Sequence, residues 1–226
     1  MWQTILGSLL AIALAALLLR QIMRAARRRR AEPERLFSGA GTVLENPSIS
    51  PVSTAGVHQL TGRYKGHDVQ VKLIADTLAV RKLPTLWLMV TLPGPVPVSA
   101  TLDLMMRPTG PTSFSNFDLL PFTVQAPPGF PEHAVIRSDD PARMLPPAVI
   151  AGHLAPFHGP RGKELLITPK GLRMVMLMAE ADRARYGVFR QADFGETVLD
   201  HGQLTDGLET LIALREAIEN WHKQTS

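Results

Sequence analysis

Cysteine is absent from the 226-residue chain. Its absence excludes disulfides, thiolate zinc sites, iron–sulfur clusters and cysteine nucleophiles, and it fits a reducing compartment. Catalytic signatures are missing as well. No Gly-x-Ser-x-Gly elbow supplies a serine nucleophile, and no zinc-protease helix pattern occurs. Asp193-Phe194-Gly195 copies the kinase magnesium tripeptide but lacks the glycine-rich loop and the His-Arg-Asp that give it meaning. Gly159 to Glu164 has the look of a phosphate loop. Its spacing is short, Glu164 stands where a hydroxyl is needed, and it precedes a strand instead of following one. These absences predict a protein that is not an enzyme and holds no cofactor and no metal.

Charge of one sign is missing from two stretches. Trp2 to Leu19 carries no charged side chain, and residues 20–30 hold Arg20, Arg24, Arg27, Arg28, Arg29 and Arg30 with no acid among them. A hydrocarbon core needs roughly 20 helical residues. Residues 1–23 meet that length if Arg20 snorkels to the headgroups, with Trp2 as an interfacial anchor. A cleaved secretory signal would carry its charge before the apolar run, and Leu17-Leu18-Leu19-Arg20 is a poor cleavage site. The reading is therefore a single transmembrane anchor with a basic stop. Because Lys and Arg mark the cytoplasmic side, the N-terminus faces outward and the remainder lies in the cytoplasm, at a bacterial-type inner membrane. Arg24, Arg27, Arg28, Arg29 and Arg30 are placed to meet anionic lipid headgroups. Without the arginine block the chain is near neutral, so its basic pI of 9.8 does not point to nucleic acid. Gly7, Ala11 and Ala15 recur every four residues on one helix face, where small side chains let another helix approach. That implies self-association or a membrane-protein partner.

Residues 24–54 read as a basic juxtamembrane stretch and linker. Pro33, Pro47 and Pro51 fall there with no visible period, although Leu36, Phe37, Val43 and Leu44 are able to pack locally. Residues 55–226 read as one soluble α+β domain. Val57 to Asp76 alternates around Lys65-Gly66 as a hairpin does. Leu86 to Leu92 is an apolar run between Pro84 and Pro93, the pattern of a buried central strand. Val96 to Met106 is a further strand candidate. Lys163 to Thr168 and Leu172 to Met178 flank Pro169-Lys170-Gly171 as a second hairpin. Asp140 followed by Pro141 predicts a helix start, and Val149 to Phe157 a second helical piece. The surest helix is the last. Asp206 and Glu209 resemble a capping box, and Leu208, Leu211, Ile212, Arg215, Ile218 and Trp221 form a stripe that faces a sheet.

Residues 109–131 are rich in proline yet hold Phe114, Phe117, Phe122 and Phe130. The expectation is an ordered loop packed on the sheet; the other reading makes these four a candidate partner surface. His153 and His158 are five apart and share no helix face. Arg183, Arg185 and Arg190 around Tyr186 and Phe189 read as a solvated helix face before they read as a phosphate site. The expected architecture is thus a single N-terminal transmembrane helix, then a mainly antiparallel sheet domain with a C-terminal amphipathic helix. The expected role is a non-catalytic accessory or scaffolding subunit of a membrane-associated complex. The alternative is a membrane-tethered sensor with a lipid or small molecule in a cleft. A hidden enzyme would require His133, Asp139, His153 and His158 to gather in one concave site.

Overall fold

A computed structural model describes residues 17, 19, 20, 34–52, 57–76, 83–108, 110, 112–189 and 194–225. Most of the expected anchor, the small-residue face Gly7, Ala11 and Ala15, and the cluster Arg24, Arg27, Arg28, Arg29 and Arg30 lie outside the described residues. Among those that are described, no helix is long and apolar enough to cross a membrane.

The strands are β1 Glu45–Pro51, β2 His58–Tyr64, β3 His67–Asp76, β4 Thr85–Pro93, β5 Leu102–Met106, β6 Phe122–Val124, β7 Ala134–Ser138, β8 Gly162–Thr168 and β9 Gly171–Glu180. They form one antiparallel sheet in the order β1-β2-β3-β4-β9-β8-β5-β7-β6. The helices are α1 Pro147–Ile150, α2 Arg183–Phe189 and α3 His201–Thr225. The antiparallel sheet and its C-terminal helix are as the sequence predicts. Both hairpins are present, and at the β2–β3 tip Lys65 and Gly66 both take positive φ (48° and 83°), as a two-residue turn matched to strand twist requires.

Period two sorts the strands into two faces. On the first face one row of register partners runs Leu60, Val71, Val90, Met174, Leu165, Leu104 and Ile136, crossing seven strands. All seven are buried. The α3 stripe covers this row with Leu204, Leu208, Leu211, Leu214 and Ile218. Gly207 lets the helix come close, since a Cβ there would stand 2.8 Å from Met176 Cε. The helix begins earlier than Asp206: Asp200 caps it, its Oδ2 accepting the Gln203 N–H at 2.9 Å. Glu209 instead accepts from Tyr64 Oη at 2.5 Å and pairs with Lys65 at 2.6 Å, tying the hairpin tip to the helix. Arg215 donates to the carbonyls of Leu92, Pro93 and Pro95 at and just past the end of β4.

Three boundaries differ from expectation. The sheet domain starts before residue 55: Phe37, Ala40 and Leu44 enter the core, the Leu199 N–H donates to Leu36 O at 2.9 Å, and β1 falls within the expected linker. All seven β1 residues are exposed, so burial imposes no alternation that could be read. Residues 96–101 are loop, and only Leu102–Met106 pair. Residues 139–143 turn without becoming helix. Asp140 Oδ1 does accept the Ala142 N–H at 3.1 Å, but helix appears only at α1, where Pro147 supplies the preset first-turn φ.

Candidate functional site

The second face of the sheet holds the chemistry. Two rows of register partners cross it. One runs Gln70, Thr91, Arg173, Leu166, Asp103 and Arg137; the other runs Met89, Val175, Glu164, Met105 and Val135. Alternation inside apolar strands therefore turns Asp103, Glu164 and Arg173 together, away from the α3 core. The loop of residues 112–121 lies over them. Its Phe114 and Phe117 bury against Met89, Met105 and Val175, a second small core. Trp87 meets Phe114 with ring centroids 5.6 Å apart.

Glu164 is fully buried. Its Oε2 accepts from Arg173 Nη2 at 2.9 Å and from Nε at 3.1 Å. Its Oε1 accepts from the Ser115 hydroxyl, whose oxygen in turn accepts the Phe117 N–H at 3.0 Å. A register irregularity in β8 sets Lys163 aside, and its Nζ donates to Met106 O at 2.7 Å and Arg107 O at 3.1 Å. Arg137 Nη1 donates to the carbonyls of Phe117, Asp118 and Leu120, and its guanidinium sits 5.2 Å from the Phe117 ring. The loop is thus held at two points: Ser115 on Glu164, and three carbonyls on Arg137.

Asp103 is 2% exposed, and its Oδ1 has no partner. Neither has Nε of Arg137, its register neighbour on β7. Burial, and next the charge of Glu164, push the Asp103 carboxyl up to about 8, against the pull of Arg173. Burial also raises Glu164, opposed by Arg173, Ser115 and Lys163. Every partner of Glu164 is a donor, so Glu164 is the ionised member and Asp103 carries the proton at neutral pH. The arrangement stores one proton beneath a loop. A general acid or base needs hydrogen-bond reach to its substrate, and these carboxylates are closed off from solvent.

Of the four loop aromatics, Phe114 and Phe117 are buried, Phe130 packs partly against the main core, and Phe122 on β6 is 50% exposed; Leu119, three residues earlier, is 78% exposed. Asp139 accepts from Thr101 N and Oγ1 at 2.7 and 3.0 Å. His133 pairs with Glu132 at 3.6 Å. Among the described residues, no three His, Asp or Glu side chains gather as a metal ion would need. Arg190 lies outside the described residues, and with it the basic–aromatic cluster as a unit. A shallow groove of about 650 Å³ runs between residues 34–41 and β1, lined by Glu34, Phe37, Ile49 and Leu60 among others. Sequence reasoning did not single out Asp103, Glu164 or Arg173. The available signal was an ionisable residue at one phase of an otherwise apolar strand: Leu102-Asp103-Leu104, Lys163-Glu164-Leu165 and Leu172-Arg173-Met174.

No protein-family model matches the chain, and no curated protein matches it. Among solved structures, the crystal structure of the mycobacterial trehalose monomycolate transport factor A is similar at 12% identity, covering 84% of this chain and 95% of that one, with a TM-score of 0.41. A likeness of that size carries no argument about this chain's role.

Proposed function

We propose that the protein is a membrane-anchored, non-catalytic accessory or scaffolding subunit of a membrane-associated complex. Its sheet domain acts at the cytoplasmic face of a bacterial inner membrane, and residues 1–23 hold it there. The observation that supports this reading is a contrast between two surfaces. Asp103 and Glu164 are buried, with Glu164 bonded to Arg173 and Ser115, whereas Leu119 just before β6 and Phe122 at its start are exposed. Large apolar groups left exposed near one another in the chain suit protein contact. The test is affinity purification of the full chain from native membranes in mild detergent, with mass spectrometry of what accompanies it. A stoichiometric membrane-protein partner is expected, lost when Leu119 and Phe122 become serine or when Gly7 and Ala11 become leucine. Recovery of the chain alone, at monomer size, refutes the proposal.

A second reading has its own observation. The groove beside β1 has Glu34 in its lining, within about 40 Å of extended chain from the end of the expected span. A membrane-tethered sensor of a lipid or small molecule would use such a cleft. A thermal shift of the purified chain on adding an extracted lipid pool, abolished by Ile49→Asp, separates it from the scaffold.

A further inference from the structure

We propose that residues 112–121 form a proton-latched lid, closed over the second face of the sheet while Asp103 is protonated and released as Asp103 ionises. The inference goes beyond the accessory-subunit reading and does not depend on it.

The geometry sets the latch. Asp103 on β5 is faced by Glu164 from β8, Arg173 from β9 and Arg137 from β7. From the loop come Ser115, bonded to Glu164, and Asp118, whose carbonyl is bonded to Arg137 and whose side chain is exposed. Lys163 sits at the rim on the carbonyls of Met106 and Arg107. Within this ring Arg173 Nε and Nη2 are committed to Glu164 and Arg137 Nη1 to the loop carbonyls, and Arg137 Nε is bonded to nothing, Asp103 included. Asp103 Oδ1 receives nothing. In the closed arrangement an ionised Asp103 would therefore be a second buried anion beside Glu164 with no donor bonded to it, and water admitted from outside would supply donors that the closed face does not. Water reaches it when the loop lifts, which takes Ser115 from Glu164 and uncovers Met89, Met105 and Val175.

The sign follows from linkage. With the lid closed, Asp103 keeps its proton up to about pH 8. With the lid open and water present, the carboxyl returns toward about 4. Between those values opening releases one proton, so the opening constant rises by up to about tenfold per pH unit and levels off above 8. The lid is closed in acid and loosened in mild alkali.

The absence of cysteine makes this measurable on the full chain. Met105→Cys places a thiol beneath the loop, and Val90→Cys places one in the main core on the opposite face. Labelling by a thiosulfonate reagent from pH 6 to 8.5, divided by the rate of a matching unstructured peptide, gives the opening constant. The Met105→Cys ratio should exceed the Val90→Cys ratio at least tenfold and rise tenfold or more between pH 6 and 8. In the Asp103→Asn background the rise should vanish. Met89→Cys serves as probe if Met105→Cys does not fold, and Asp103→Leu serves as background if Asp103→Asn does not. Equal ratios at the two thiols would mean global unfolding and overturn the lid. A ratio that changes less than twofold with pH, or a rise that survives the loss of Asp103, overturns the latch.

Discussion

Arg173→Met tests whether the second face is held by its charges. Arg173 keeps a 21% exposed guanidinium on a fully buried carboxylate through two hydrogen bonds. Methionine preserves the stem that packs along β9 and removes only the charge. Glu164 is then left with the Ser115 hydroxyl and no cation in contact. Breaking a buried pair from one side costs about 3–5 kcal/mol because the orphaned charge stays desolvated. The loss must depend on pH. Burial already raises Glu164 in the folded state, and removing Arg173 raises it further. A carboxyl raised on folding has its stability in full below its unfolded value and loses it as pH rises through the folded one. The variant should thus lie close to the parent near pH 4.5 and well below it at pH 7. The double variant Arg173→Met, Glu164→Leu should recover most of the loss, since an apolar replacement of both partners is often neutral or better. Urea unfolding of the full chain followed by circular dichroism gives the midpoints, compared at unchanged slope. A loss below about 1 kcal/mol at pH 7, or a double variant no better than the single, refutes the reasoning.

Two glycines make a matched pair. A Cβ at Gly162 would lie 2.6 Å from Pro156 O and 2.9 Å from Phe157 Cα, both backbone, so Gly162→Ala should cost several kcal/mol, roughly 2–4. At Gly207 the nearest atom is the tip of Met176, which can swing, so Gly207→Ala should stay within about 1 kcal/mol; equal midpoints for the two would sink the argument. Phe114→Ala should cost about 3–5 kcal/mol and shift Trp87 fluorescence, because it empties the small core beneath the loop. For Asp103, raised to about 8 in the fold, stability should fall from pH 4 toward 8 by up to about 1.4 kcal/mol per unit, and Asp103→Asn should flatten that slope in a pH series of melts.

The first face of the sheet could be read in advance because burial imposes a pattern. Leu86 to Leu92, Val69 to Leu73 and the α3 stripe each carry the period of the element that buries them, and all lie where that period puts them. The second face could not, because its polar residues look like those of any solvated sheet face. A glutamate between Lys163 and Leu165 announces solvent unless something covers it. What covers Glu164 is an irregular, proline-rich loop whose path no periodicity encodes. Phe114, Phe117, Phe122 and Phe130 looked alike in sequence. Two of them close the small core, and one is left out at the edge. The cap of α3 differs from expectation for a related reason: Asp206 and Glu209 have capping spacing, but the chain is already helical from His201, and Glu209 is drawn off by Tyr64 and Lys65.

The two edges of the sheet are not equivalent, and that difference bears on where a partner would dock. An open edge offers unpaired backbone groups to any passing strand, and proteins blunt such edges with proline. In β1 the Val52 N–H donates inward to Val57 O, so antiparallel alternation turns the nitrogens of Pro51 and Ile49 outward. Proline removes one of those donors, and Pro47 falls in the irregular stretch before Ser48, which interrupts the ladder. The edge nearer the expected anchor is therefore guarded against strand addition. At the far edge, β6 spans only Phe122–Val124, and none of the three is proline. Phe122 within it and Leu119 shortly before it are exposed. Arg137 links that edge to the buried pair, because it pairs with Asp103 in register on one side and with Thr123 on the other while holding the carbonyls of residues 117, 118 and 120. A change beneath the loop thus reaches the exposed apolar edge through one side chain. Arg137→Met should loosen the loop and alter partner recovery together, whereas Phe122→Ser should alter recovery with the loop still closed. If Arg137→Met left labelling at Met105→Cys unchanged, the two surfaces would be independent.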